Sequence, residues 1–145
     1  MIVLDNNVIS EMMRVLPDQG VSAWLDAQPP EELWTTSIVI AELLSGIESM
    51  PVGRKQRTLP EAVERMIAED FRGQILSFDL DAARHYGQIL ASRSRLGRPI
   101  REMDAQIAAI ARVHGATLAT RDTGDFAFCD LKLVNPWTAG QVDFS

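Results

Sequence analysis

Four carboxylates, Asp5, Glu42, Asp104 and Asp122, stand out in a chain that offers little else for catalysis. There is no GxxxxGK[ST] or GxGxxG phosphate loop and no GxSxG nucleophile elbow. A single cysteine, Cys129, excludes a disulfide framework and every multi-cysteine metal site, and two histidines exclude a histidine-rich one. Carboxylates that converge on one point repel each other unless a hard divalent cation neutralises them, and all-oxygen ligands favour Mg²⁺ or Mn²⁺ over Zn²⁺. Such a site suits phosphodiester hydrolysis, because the metal polarises a phosphoryl oxygen, generates hydroxide and stabilises the leaving oxygen. The expected substrate is then a nucleic acid.

Taken singly, three of the four have an ordinary structural use. Asp5 can cap a helix, Asp104 can favour a positive helix end, and Asp122, with Asp125, is a good turn residue. Glu42 differs, because it sits in Ile40-Ala41-Glu42-Leu43-Leu44, a setting unlike a solvated stripe. A carboxylate held against apolar surface costs several kcal/mol or stays protonated unless a cation joins it.

The elements that position these acids follow from the pattern. Residues 2–4 and 33–36 read as short buried strands, with further strands over 74–78, 116–120 and 132–134. Helices are expected over 8–14, around 21–25, from a Ser37 cap to 49, over 61–71, from Asp79 or Asp81 to 95, and from 101 or 102 to 114. Residues 51–57 read as an exposed basic loop. Strands alternating with helices imply an α/β fold, a three-layer α/β/α sandwich around a mainly parallel sheet, in one domain over residues 1–145. In such a sheet the carboxyl ends of strands and the amino ends of the following helices share one edge, and all four acids map to it.

The 145 residues carry 14 Lys and Arg against 20 Asp and Glu, a formal charge of −6, so any surface for phosphates must be a local patch. From Arg84 to Arg101 the chain has five arginines and no acid. Arg93, Arg95, Arg98 and Arg101 are therefore the candidates for contacts with a nucleic-acid phosphate backbone, with Arg54, Lys55 and Arg57 as a second cluster. No basic leader or long apolar segment is present, so the chain is expected to be cytoplasmic and off the membrane.

The segments Met1-Ile2-Val3-Leu4-Asp5-Asn6-Asn7, Ala41-Glu42-Leu43-Leu44-Ser45-Gly46, Asp104-Ala105-Gln106-Ile107 and Ala119-Thr120-Arg121-Asp122-Thr123-Gly124-Asp125-Phe126, in this order, resemble the PIN-domain ribonuclease toxins of the VapC/FitB type. The resemblance extends to Asn135-Pro136-Trp137. It implies an Mg²⁺- or Mn²⁺-dependent endoribonuclease, a homodimer, and a cognate VapB/FitA-like antitoxin that covers the site and offers it an Arg. Position by position, it implies that Asp5, Glu42, Asp104 and Asp122 are the acidic quartet, with Asn7 orienting the first Asp and Asp125 an accessory acid. Asn6 stands where many members carry Thr or Ser. A receiver domain or a haloacid-dehalogenase phosphatase would need acids where Asn6 and Asn7 stand, and a ribonuclease H-like nuclease fits the element order less well. The remaining alternative is a weakened PIN-like module that binds RNA or an antitoxin without cutting.

Overall fold

The computed structural model describes residues 1–140; the expected single-domain range 1–145 therefore includes five residues outside the described ones. Five strands, β1 (Ile2–Leu4), β2 (Leu33–Thr36), β3 (Ile75–Leu76), β4 (Thr117–Ala119) and β5 (Lys132–Val134), form one sheet in the order β3-β2-β1-β4-β5. Every neighbouring pair is parallel, with Val3 opposite both Trp34 and Leu118. Six helices accompany the sheet: α1 (Asn6–Met12), α2 (Gln19–Asp26), α3 (Ser37–Glu48), α4 (Arg54–Arg65), α5 (Leu80–Arg95) and α6 (Glu102–Val113). Right-handed crossovers place α1 to α4 on one face and α5 and α6 on the other, because the chain moves outward through β1, β2 and β3 and then returns to β4. This is the α/β/α layering expected from the alternation of elements.

The central strand has no exposed side: Val3 and Leu4 are fully buried, as parallel strands covered on both faces require. The apolar faces of α3 (Val39, Leu43, Ile47) and α6 (Ala105, Ile107, Ala108, Ile110, Ala111) close the core from the two sides. The alanines of α6 let that helix lie close to its neighbours, and α5 against α6 is the most extensive helix contact. Gly97 and Gly115 end α5 and α6 with positive φ angles of 69° and 61°, a conformation glycine adopts without strain. No described helix is long and apolar enough to cross a membrane.

Several local expectations change. The basic loop at 51–57 is only half a loop, because Arg54, Lys55, Gln56 and Arg57 already belong to α4. Pro51 and Gly53 stay outside this helix, but Pro60 lies inside it. Burial of Val63 and Met66, with Leu59 against the core, outweighs the hydrogen bond that Pro60 removes. The helix ends in a wide turn over Met66–Asp70 rather than running on to 71. Thr36, not Ser37, caps α3: its buried Oγ1 accepts from the Val39 N–H at 3.0 Å. Asp79 caps α5, accepting from the Ala82 N–H at 2.9 Å, and α1 starts two residues early because Asp5 is its cap.

Candidate active site

Strand order reverses between β1 and β4, and at this switch point the carboxyl ends of both strands open onto one cleft of about 410 Å³. Asp5 follows β1 directly and is held on every side. Its N–H donates to the Ala119 carbonyl, its Oδ1 accepts from the Asn6 N–H at 2.8 Å, and its Oδ2 accepts from the Thr120 hydroxyl at 2.8 Å. Thr120 Oγ1 in turn accepts from the Asp122 N–H at 3.1 Å and from Asn7 Nδ2 at 3.4 Å. Asn7 Nδ2 also reaches Asp122 Oδ2 at 3.0 Å, and Asn7 Oδ1 accepts from the Arg121 N–H. Asn7 therefore orients Asp122 directly and Asp5 only through Thr120, which corrects the role expected for it. Asn6 turns its side chain along α1, where its Oδ1 accepts from Ser10.

The other two acids come from helix amino-terminal turns, which face this edge because α3 follows β2 and α6 precedes β4. Asp104 lies in the first turn of α6 and is buried; Glu42 lies in the second turn of α3, half-buried. Both line the cleft together with Asp5, Asp122 and Asp125, and the last two are exposed. Glu42 Oε1 is buried and has no hydrogen-bond partner. Burial pushes the Glu42 carboxyl up to about 7, Asp5 and Asp104 add to the rise, and Arg101 opposes it. The Asp104 carboxyl is raised by burial first, with Arg101 working against it, and the Asp5 carboxyl is raised by burial against the pull of Thr120 and the Asn6 N–H.

A buried carboxylate oxygen without a partner beside other anions is a site that gains from a cation. The donor set is all oxygen, which fits Mg²⁺ or Mn²⁺ and disfavours Zn²⁺. Among the described residues no three of these groups are gathered tightly enough to be a ready-made ion cage.

The basic run does not behave as one surface. Arg93 is 5% exposed, and its guanidinium donates to the carbonyls of Arg98, Asp125 and Ala127 at 2.6, 2.8 and 2.8 Å. It ties the acid-bearing turn Thr123–Phe126 to α5 and has no face left for a phosphate, so the RNA contact expected of it is withdrawn. Arg95 is exposed, Arg98 lies over the Phe128 ring at 5.0 Å, and Arg101 lines the cleft. Sequence reasoning missed Thr120, whose hydroxyl joins two acids, and Arg121 and Trp137, which line the cleft. The acidic Glu11 also lines it, but its carboxylate is taken up by the Asp18 N–H and Arg14.

On the far side of Asn6, Ser10 and Glu42 lies a second, larger groove of about 740 Å³ between α1, α3 and α4. Its lining is mostly apolar, including Leu43, Ile47 and Leu59, and Val15 and Leu16 stand at its rim 97% and 84% exposed.

Residues 2–131 match the PIN domain family. The chain is 45% identical to the plasmid stability protein StbB of Pseudomonas syringae pv. tomato, over 96% of this chain and all of that one. It is 42% identical to the VapC ribonuclease Y4jK of Sinorhizobium fredii, over 94% and 98% of the two chains, and 42% identical to the toxin FitB of Neisseria gonorrhoeae, over 94% and 99%. The crystal structure of FitAcB from Neisseria gonorrhoeae superposes with a TM-score of 0.87 at 42% identity, covering 94% of this chain and 99% of the other.

Proposed function

The chain belongs to the PIN domain family, among toxins of the VapC/FitB type, and from that premise we propose that it is the ribonuclease toxin of a toxin–antitoxin pair, cutting RNA phosphodiester bonds with Mg²⁺ or Mn²⁺ at its acid cleft. The observation that carries this reading is the meeting of Asp5, Glu42, Asp104 and Asp122 at the sheet's switch point, with Glu42 Oε1 buried and unpartnered.

Asp5, Asp104 and Asp122 are the residues that would hold the metal, with Asp125 beside them. A divalent cation there would neutralise the cluster, polarise the phosphoryl oxygen and make bound water acidic. Thr120 and Asn7 fix the Asp5 and Asp122 carboxylates before any ligand arrives, so little ordering remains to be done on binding. Glu42, with a carboxyl near 7, is suited to take a proton from water at neutral pH. Arg101, at the amino end of α6, offsets part of the negative charge that an RNA phosphate would meet.

The partner in this reading is a VapB/FitA-like antitoxin. The apolar groove next to the acids supports it, since exposed Val15 and Leu16 beside Ile47 and Leu59 suit an amphipathic helix, and an Arg following that helix would reach the carboxylates across Glu42. The homodimer and the cytoplasmic location belong to the same proposal and rest on the family relationship.

The test uses protein freed of its partner and total cellular RNA. New 5′ ends should form with Mn²⁺ or Mg²⁺ and vanish with EDTA, and Asp104→Asn should abolish them while the protein stays folded. The alternative is a module that binds RNA or an antitoxin without cutting. RNA or antitoxin binding with no metal-dependent new ends would establish it instead.

A further inference from the structure

Asn135, Pro136 and Trp137 follow directly on β5, and Asn135 and Trp137 both contact Arg121. Asn135 Oδ1 accepts from the Trp137 N–H at 2.9 Å, and Asn135 Nδ2 donates to the Arg121 carbonyl at 3.5 Å. From the opposite side, Asn7 Oδ1 accepts from the Arg121 N–H at 3.1 Å. The Arg121 guanidinium carbon then lies 5.0 Å from the centre of the Trp137 ring. Backbone and side chain of this one arginine are thus both fixed at the mouth of the acid cleft, which Arg121 and Trp137 help to line.

Arg121 shares that cleft with Asp5, Asp104, Asp122 and Asp125, yet forms no ion pair and donates no side-chain hydrogen bond among the described residues. The contact with the Trp137 ring uses none of the guanidinium N–H donors, and among the described residues nothing accepts from them. A preorganised planar cation with free donors matches a phosphate, which takes two parallel N–H bonds. Its location answers the chain's charge problem: RNA approaching an anionic cleft needs a fixed positive group beside it.

We propose that Arg121, held against Trp137, binds an RNA backbone phosphate at the mouth of the acid cleft and positions the strand for cleavage. This rests on the ribonuclease reading for the meaning of the cleft, and on the Arg121–Trp137 geometry for the contact.

The full-length, partner-free protein is compared with Arg121→Gln, Arg121→Lys, Trp137→Phe and Trp137→Leu. Binding of a labelled random-sequence RNA is measured by anisotropy in EDTA over a range of NaCl, Mn²⁺ affinity by calorimetry, and cleavage of total RNA with Mn²⁺. Arg121→Gln should weaken RNA binding about 10-fold and make the log–log salt dependence shallower by about 0.7, the loss of one single-strand phosphate contact. Its Mn²⁺ affinity should be unchanged, and KM should rise while kcat stays within about 3-fold. Arg121→Lys should keep the salt slope and regain only part of the affinity, for want of the bidentate fork. Trp137→Phe, which keeps a weaker ring under the guanidinium, should fall between wild type and Arg121→Gln, and Trp137→Leu should behave like Arg121→Gln. An unchanged salt slope in Arg121→Gln overturns the contact, and so does tighter Mn²⁺ binding with unaltered RNA affinity, which would make Arg121 a counter-charge to the acids. Wild-type protein that cuts no RNA with Mn²⁺ refutes the ribonuclease reading alone, and the salt slopes still decide the contact.

Discussion

The acid cleft and the apolar groove share a wall of Asn6, Ser10 and Glu42, and they are built by different means. The cleft is made at strand ends, where Asp5, Asn7, Thr120 and Asp122 lock one another through hydrogen bonds of 2.8 to 3.4 Å. The groove is made by three helices that leave a gap, and no polar network defines it. The cleft holds more acids than Arg101 and Arg121 can offset, and the groove lacks apolar cover. In the proposed function each deficit is met by its occupant, an ion and a phosphate in one and a hydrophobic helix in the other. The pair of deficits on one wall fits an enzyme whose inhibitor and substrate meet.

If the two sites are separable, damage to one should spare the other. The largest effect is expected from Asp104→Asn, which should lower metal-dependent RNA cleavage by roughly 10³-fold or more, with antitoxin affinity changed far less. An equal loss of both would join the two clefts into one. Next comes the groove: replacing Val15 and Leu16 together by Ser removes apolar surface worth about 3 kcal/mol on a partner, or roughly 100-fold in affinity by calorimetry with the cognate antitoxin. Circular dichroism should show the fold intact, since both residues are exposed.

A smaller effect tests how far the cleft depends on its hydrogen bonds. Thr120→Val keeps the shape and removes the hydroxyl that serves Asp5 and Asp122, so cleavage should fall about 10- to 100-fold and Mn²⁺ should bind more weakly. Stability should drop by about 1–2 kcal/mol in urea titration.

The smallest effect concerns the shared wall. Glu42 has a carboxyl raised from 4.5 to about 7, so between these values the folded state binds the extra proton. Stability without metal is therefore greatest below pH 4.5 as far as this group is concerned, and declines as pH rises towards 7. The shift sets a ceiling of roughly 3 kcal/mol, and solvent screening on a half-exposed side chain brings the expectation to about 1 kcal/mol. Glu42→Gln should remove that decline and melt higher than wild type at pH 7.5 in EDTA. Mn²⁺ at about 100 times its Kd should raise wild-type stability by about 2.7 kcal/mol, with less effect at pH 5, and melting curves with and without metal read both.

The sequence made the strand-end chemistry legible and the long-range ties opaque. β2 and β5 have the expected bounds because short apolar runs between turn residues have few other uses in a parallel sheet. Glu42 was conspicuous because a lone acid in an apolar helix face needs a reason. Thr120 was silent, since a Thr after a strand is ordinary and its partner Asp5 lies 115 residues away. Arg93 misled for the same reason: an arginine among arginines reads as surface, while its carbonyl partners at Asp125 and Ala127 belong to a distant turn. The start of α4 was hidden because Gly53 is its N-cap and because Pro60 lies inside it, where core burial of Val63 overrides the lost hydrogen bond.

The strand order has a temporal consequence. β1 is the first element made, yet it is the centre of the sheet and needs β4, beginning at Thr117, on one side. During synthesis only β2 is available to it early, and Asp5 and Glu42 emerge long before Asp104, Thr120 and Asp122. The contacts that orient the acids close over 113 to 115 residues, the slow, non-local kind. A nascent chain therefore cannot assemble the cleft until most of it has left the ribosome that made it, and any incomplete fragment ending before Asp122 lacks a quarter of the acid quartet. Only a nearly complete chain can therefore present the four acids together.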